Sequence, residues 1–122
     1  MFYRKEKKIK ELEKKVAGLK DAIDAKYIEI KQLLELPNLR FTGLYSHFPA
    51  ADSFDEVAVE YTERQIELFN EAYDYLTRYG FDFKIVHGQN SAGIARKLNG
   101  SFNTMRAGII LYGINPSEAV IF

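Results

Sequence analysis

The sequence has no cysteine, which excludes disulfides and thiolate metal sites and suits a reducing compartment. It has no net charge either, since 17 Lys/Arg balance 17 Asp/Glu. No whole-chain field therefore draws it to nucleic acid or to an anionic membrane. No apolar run approaches the roughly 20 residues of a membrane span. The basic first residues are not followed by the apolar core of a signal peptide. A cytoplasmic chain with no metal, nucleic-acid or membrane partner is the expectation. At 122 residues it is one domain at most, or a segment of a larger one, and 47% hydrophobic residues give it enough apolar mass for a core.

The charge that is present is unevenly placed. Residues 1–15 carry seven Lys/Arg against three Glu, and residues 52–74 carry eight Asp/Glu against Arg64 alone. The basic cluster opens a long helix by pattern. Ile9, Leu12, Val16, Leu19, Ile23, Ile30 and Leu33 recur at alternating three- and four-residue steps, with Lys26 at one seam position and Gly18 as the one weak helix former. Pro37 stops it, because the residue before a proline avoids helical torsions. Two readings stand: an amphipathic helix lying on its own domain, or a coiled-coil arm that dimerises.

After "LPNLR", the stretch "FTGLYSHF" predicts a strand ending near His47, and "PAADSFDE" a loop closing in a Ser53–Glu56 capping box. The following helix carries Ile66, Phe69, Tyr73 and Leu76 on one face and ends at Gly80. "FDFKIV" predicts a second strand, "NSAGIARKL" a short helix, and "FNTMRAGIILYG" a third buried strand; "INPSEAVIF" suggests no element. Helix and strand alternate, so the expected fold is α/β, built of right-handed parallel βαβ units. The expected division is 1–36, a coiled-coil-like helix, and 37–122, a segment of about three parallel strands with both sheet edges open.

In such folds chemistry gathers at the carboxyl ends of the strands. His47 falls at the first, His87, Asn90 and Ser91 at the second, and Arg106, Gly108 and Ile109 on or just after the third. "NSAG" opens a helix whose first amides lack acceptors and carry the positive dipole end, so with the Ser91 hydroxyl it makes a seat for phosphate. Gly108 leaves room for a second stretch of backbone, and Arg106 supplies fixed positive charge. Asn90 or Ser91 equally suits a plain N-cap, His47 a half-buried strand end, and Gly108 a tight turn. Spacing alone leaves these readings open.

Four stretches in order, "LPNLRFTGLYSHFPAAD", "IELFNEAYDYL", "HGQNSAGI" and "MRAGIILYGINPS", resemble the pyridoxal-phosphate-dependent alanine racemases from about Leu36 to Ser117. Ser46 stands where the family commonly has Thr, and Ala107 where it often has Pro. The resemblance implies part of a (β/α)8 TIM barrel, with an isomerase activity that interconverts L- and D-alanine and supplies D-alanine for peptidoglycan. It further implies that Ser91 and the backbone of Gly108 and Ile109 hold the cofactor phosphate. Arg106 would face the pyridine nitrogen, His47 would hydrogen-bond Arg106, and His87 and Asn90 would support the site. An arginine there keeps the ring nitrogen unprotonated, which favours simple proton removal and return.

The family's Schiff-base lysine sits in a "KANAYG"-like motif that this sequence lacks; Lys26-Tyr27 in "DAKYIE" does not match it. The opposing catalytic tyrosine comes from a partner subunit's β-rich domain. No catalytic residue is therefore assigned, and the expectation is a racemase fragment, inactive alone, whose small amino-acid substrate and weak cofactor binding rest on resemblance. The alternative is a non-catalytic assembly module that uses the N-terminal helix and the open sheet edges to form a homo-oligomer or to pair with a complementing chain.

Overall fold

The computed structural model describes residues 2–121, with side chains from residue 5 onward. Met1 and Phe122, the outer limits of the two expected regions, lie outside the described residues, as does the Arg4 side chain of the basic cluster. The chain divides into two compact units, Met1–Arg40 and Phe41–Phe122.

In the first unit, α1 (Phe2–Gln32) is a continuous 31-residue helix. Lys, Glu and Ala make up about half of it, and these lose little side-chain freedom in a helix. Gly18 has nothing near its missing Cβ, so it weakens the helix locally without bending it around a neighbour. The last residues tighten into a 3₁₀ turn, Leu33–Glu35, and Leu36 is already extended at ψ 125°. This is the torsion that Pro37 imposes on its predecessor. Leu33, expected on the helical seam, therefore sits in the tighter turn.

The second unit opens with β1 (Gly43–Tyr45), crosses through α2 (Glu56–Arg78) and returns as β2 (Ile85–His87). The strands pair in parallel with Gly43 beside Ile85, Leu44 beside Val86 and Tyr45 beside His87. This is one βαβ unit, shorter in each strand than "FTGLYSHF" and "FDFKIV" suggested. His47 lies two residues past the end of β1, and α3 is only Ser91–Ala95.

The expected third strand is not one: among the described residues the sheet has two strands. Residues 103–106 run along the free side of β2, yet the Asn103 side chain replaces a backbone partner. Its Oδ1 accepts from Val86 N at 2.8 Å, and its Nδ2 donates to Lys84 O at 3.0 Å. The amides of Asn103 and Thr104 both reach Val86 O, and Arg106 N reaches Gln89 O at 3.0 Å. With side chain substituted for main chain, no regular ladder propagates, and the apolar "GIILY" folds into a 3₁₀ turn, Ile109–Tyr112. Of the two edges expected to be open, this one is thus partly covered.

The capping box also differs. The cap of α2 is Asp55, whose Oδ1 accepts from Val57 N at 3.1 Å and Ala58 N at 3.4 Å, while Ser53 Oγ accepts from Asp55 N. A carboxylate adjacent to the first turn also meets the positive helix end, an advantage Ser53 lacks. At the other end Gly80 adopts φ 101°. Gly80 N reaches Thr77 O and Phe81 N reaches Leu76 O, which together form a Schellman motif that the glycine permits.

Phe48, Ala51, Ile66, Ala92 and Val120 form the core, with Ala95, Leu98 and Phe102 packed against it. Burying a side chain such as Phe48 stabilises the fold by about 1.5–3 kcal/mol. Val120, in the tail that suggested no element, is 2% exposed, and Ser117 Oγ donates to Asp52 O at 2.6 Å. The tail closes the core because an apolar anchor needs no secondary structure to bury itself.

Candidate functional site

The site grows from the loop after β2. Gly88 follows the strand where a Cβ would lie 2.6 Å from the Phe48 ring and 2.7 Å from that of Phe102. Only a hydrogen fits, and the chain can therefore turn tightly over the core. Gln89 is buried; it anchors the turn by donating from Nε2 to Leu98 O. Asn90 then caps α3: its Oδ1 accepts from Gly93 N at 3.0 Å, and its Nδ2 donates to Phe48 O at 3.1 Å. Ser91 is buried at 7% exposure, and its Oγ accepts from Gly108 N at 3.0 Å. A Cβ at Gly108 would lie 3.2 Å from that hydroxyl, so Gly108 keeps the space beside Ser91 open.

Arg106 is the charge of the site. Its Nη1 donates to His87 Nδ1, and both terminal nitrogens lie 3.5 Å from carbonyls, those of His87 and Gly88. Among the described residues no carboxylate pairs with it. Because Nδ1 accepts, the neutral imidazole carries its proton on Nε2. Burial, and secondly the Arg106 charge, lower the His87 pKa below its ordinary value, which keeps the ring neutral and the acceptor available. The Tyr45 ring stacks on His87 with centroids 5.5 Å apart, and the guanidinium lies 6.0 Å from the Tyr45 centroid.

His47, Asn90, Ser91, Arg106, Gly108 and Ile109 line one cleft of about 340 Å³, completed by Pro49, Asp52, Ala92 and Pro116. Six of the seven residues singled out in the sequence thus meet at one surface, and His87 lies directly behind Arg106. One expected contact differs: Arg106 is held by His87, and not by His47, which is exposed. Parallel register explains this, because it sets Tyr45 beside His87 and leaves His47 beyond the strand. Sequence reasoning missed Tyr45, Gln89 and Asp52. Tyr45 was recoverable only with the register in hand.

The loop at the cleft's edge is pinned by Arg96, whose Nη1 donates at 3.0 Å to both Ala51 O and Ser53 O while the guanidinium lies 4.6 Å from the Phe54 ring centroid. Among the described residues no cluster of His, Asp or Glu is arranged to hold a metal. No helix there is long and apolar enough to cross a membrane.

The profile of the alanine racemase N-terminal domain matches residues 19–116. The chain belongs to this family. It is 41% identical over 91 residues to the alanine racemase of Methanococcus maripaludis, covering 75% of this chain and 24% of that protein. With that of Carboxydothermus hydrogenoformans it shares 38% over 92 residues, again 75% and 24%. The solved alanine racemase of Clostridium difficile 630 superposes with a TM-score of 0.69 at 35% identity, covering 80% of this chain and 24% of that one. The Bacillus anthracis alanine racemase with bound L-Ala-P gives 0.60 at 35% identity, covering 73% and 22%. The chain thus spans about a quarter of the length of the relatives it matches. The match begins at residue 19, inside α1, so the first half of that helix lies outside the racemase family match.

Proposed function

We propose that residues 37–122 are a partial alanine racemase barrel segment carrying the part of the active site that grips pyridoxal phosphate by its phosphate and its ring nitrogen. The carrying observation is the Ser91 hydroxyl, 3.0 Å from the Gly108 amide on the wall of the cleft that Arg106 also lines. The residues fit the group. A buried hydroxyl, backbone amides at a position where a Cβ would crowd that hydroxyl, and an arginine unpaired with any described carboxylate suit a phosphate beside a ring acceptor. When bound, pyridoxal phosphate withdraws electrons from a substrate carbon so that its proton can leave.

The chain's own residues then have separable roles. Ser91 Oγ and the backbone of Gly108 and Ile109 bind the phosphate: by accepting from the Gly108 amide the Ser91 hydroxyl keeps its own proton to donate, and the Ile109 amide adds a second donor. Arg106 donates to the ring nitrogen and, being always protonated, does not transfer its proton to it. Neutral His87 fixes the guanidinium plane through Nδ1, and Asn90 holds the α3 turn that presents Ser91. His47 contributes to the cleft wall. Proton removal and return at a small amino acid need groups on both faces of its carbon. This sequence has no match to the family's lysine motif, so the chain alone does not racemise alanine.

The test is a titration of the purified chain with pyridoxal phosphate, followed by absorbance. Saturable binding, weakened about tenfold or more by Ser91→Ala and by Arg106→Ala, is expected, each removing a charge-assisted bond worth about 1.5–3 kcal/mol. Binding indifferent to both changes would place the ligand on surface lysines and refute the site. D-alanine formed from L-alanine by the purified chain would refute the inactivity. The second reading, a non-catalytic assembly module, is supported by the exposed apolar residues of α1, and the two readings are compatible.

A further inference from the structure

The seam of α1 is an unusual surface. Ile9, Leu12, Val16, Leu19 and Ile23 are each more than half exposed, although residues of this kind are ordinarily buried. The a positions are all β-branched (Ile9, Val16, Ile23, Ile30), and the d positions are Leu12, Leu19 and Lys26, a seam that in parallel coiled coils selects two strands; the orientation is decided here by Lys26 and the flanking charges. The charge along the helix is polarised. Residues 1–20 hold eight Lys/Arg against three Glu, whereas residues 21–35 hold four Asp/Glu against two Lys.

From these features we infer that α1 pairs with α1 of a second copy of this chain, antiparallel, with Val16 of each copy against the partner's Leu19. In this register Leu12 meets the partner's Ile23, and Ile9 meets the partner's Lys26. Two kinds of flanking pair then match in charge and none clashes, since Lys15 faces the partner's Ala22 and Glu6 the partner's Tyr27. Lys8 faces the partner's Glu29, and Glu13 faces the partner's Lys20. Lys26 falls near the end of the seam, followed only by Ile30 against the partner's Lys5; its stem covers Ile9 and its ammonium, already 3.4 Å from Glu29 of its own helix, reaches water.

The alternatives fit less well. A parallel pair would stack Lys26 on the partner's Lys26 within the seam and set Lys15 against the partner's Lys20, leaving only Lys8–Glu13 attractive. The antiparallel register one heptad further along would oppose Lys20 with itself and rely on Leu33, which lies in the 3₁₀ turn beyond the helix. Antiparallel packing also sets the two helix dipoles head to tail.

The absence of native cysteine makes the test clean. Full-length Leu12→Cys and Ile23→Cys chains are mixed and oxidised, each also alone. A disulfide in the mixture and none in either chain alone is expected. Self-crosslinking of each variant would mean parallel pairing and would overturn the proposal, as would no crosslinking, or a monomer by light scattering at 100 µM, about the working range of such an experiment. Charge reversal provides a second readout. Lys20→Glu should weaken the dimer about tenfold, because two attractive pairs become repulsive. Adding Glu13→Lys should restore it. Tighter association of the Lys20→Glu chain would instead indicate the parallel pair and overturn the antiparallel one.

Discussion

Gly88→Ala isolates packing beneath the site from chemistry within it. The backbone at residue 88 lies outside the left-handed region, so alanine meets no torsional penalty there. The cost is steric alone. The new Cβ would stand 2.6 and 2.8 Å from two atoms of the Phe48 ring and 2.7 Å from the Phe102 ring, distances that real contacts do not adopt. Phe102 is only partly buried and can yield outward, but Phe48 is fully buried and has nowhere to go. Overpacking of this kind costs about 1–3 kcal/mol. For a unit of this size that corresponds to a fall in Tm of about 5–20 °C, measured by thermal melting followed by circular dichroism. Phe48→Leu removes the two ring atoms in question, so the double variant should lose less than the sum of the single changes. Gly18→Ala is the control. Its Cβ meets nothing within 4 Å, so the melt should not fall. A Gly88→Ala chain melting within a degree of the parent, or strictly additive losses with Phe48→Leu, would refute the reasoning.

Other consequences can be checked on the same material. Asp55→Ala should cost about 0.5–2 kcal/mol in denaturant unfolding as a lost helix cap, and Glu56→Ala clearly less; the reverse order would restore the Ser53–Glu56 capping box. Asn103→Ala should cost about 1–3 kcal/mol, because it strips the buried Val86 amide of its acceptor; urea unfolding measures it, and a neutral result would mean the 103–106 segment is held by something else. His87 has a folded pKa below the ordinary 6.5, so the unfolded chain binds its proton first. The corresponding stability is complete above about pH 6.5, declines as pH falls through that value towards the lower folded pKa, and is level below it. His87→Gln should flatten that part of the stability–pH curve, and an unchanged slope would exclude His87 as its source.

How much of this was legible in the sequence depends on which interaction decides each element. α1, the end of α2 at Gly80 and the gathering of Ser91, Arg106, Gly108 and Asn90 were legible because local signals decide them: a sustained seam, a glycine at a C-cap, polar residues after apolar runs. The third strand was misread because "FNTMRAGIILYG" has strand composition, while one side chain, Asn103, diverts the hydrogen bonds a ladder needs. The partner of Arg106 was misread for another reason. Whether His47 or His87 reaches the guanidinium depends on strand register, and a three-residue strand carries too little pattern to set it. Val120 escaped notice because a single anchoring residue has no periodicity.

The same distinction bears on the proposed cofactor cradle. The bonds that build it connect neighbours in sequence: Val86 with Asn103, His87 with Arg106 and Ser91 with Gly108 are only 17 to 19 residues apart. Closing loops of that length costs little chain entropy, and lengthening them adds slowly to it. β1 adds the Tyr45 ring and part of the cleft wall through one short parallel pairing. On the proposed reading, a grip on an anion and a ring needs β2, α3 and the docked 103–108 segment, whereas proton transfer at carbon needs groups on opposite faces of a substrate. The first requirement can be met without the second, so binding and turnover should separate in this chain: ligand affinity should follow Ser91 and Arg106 even where no racemisation can be measured.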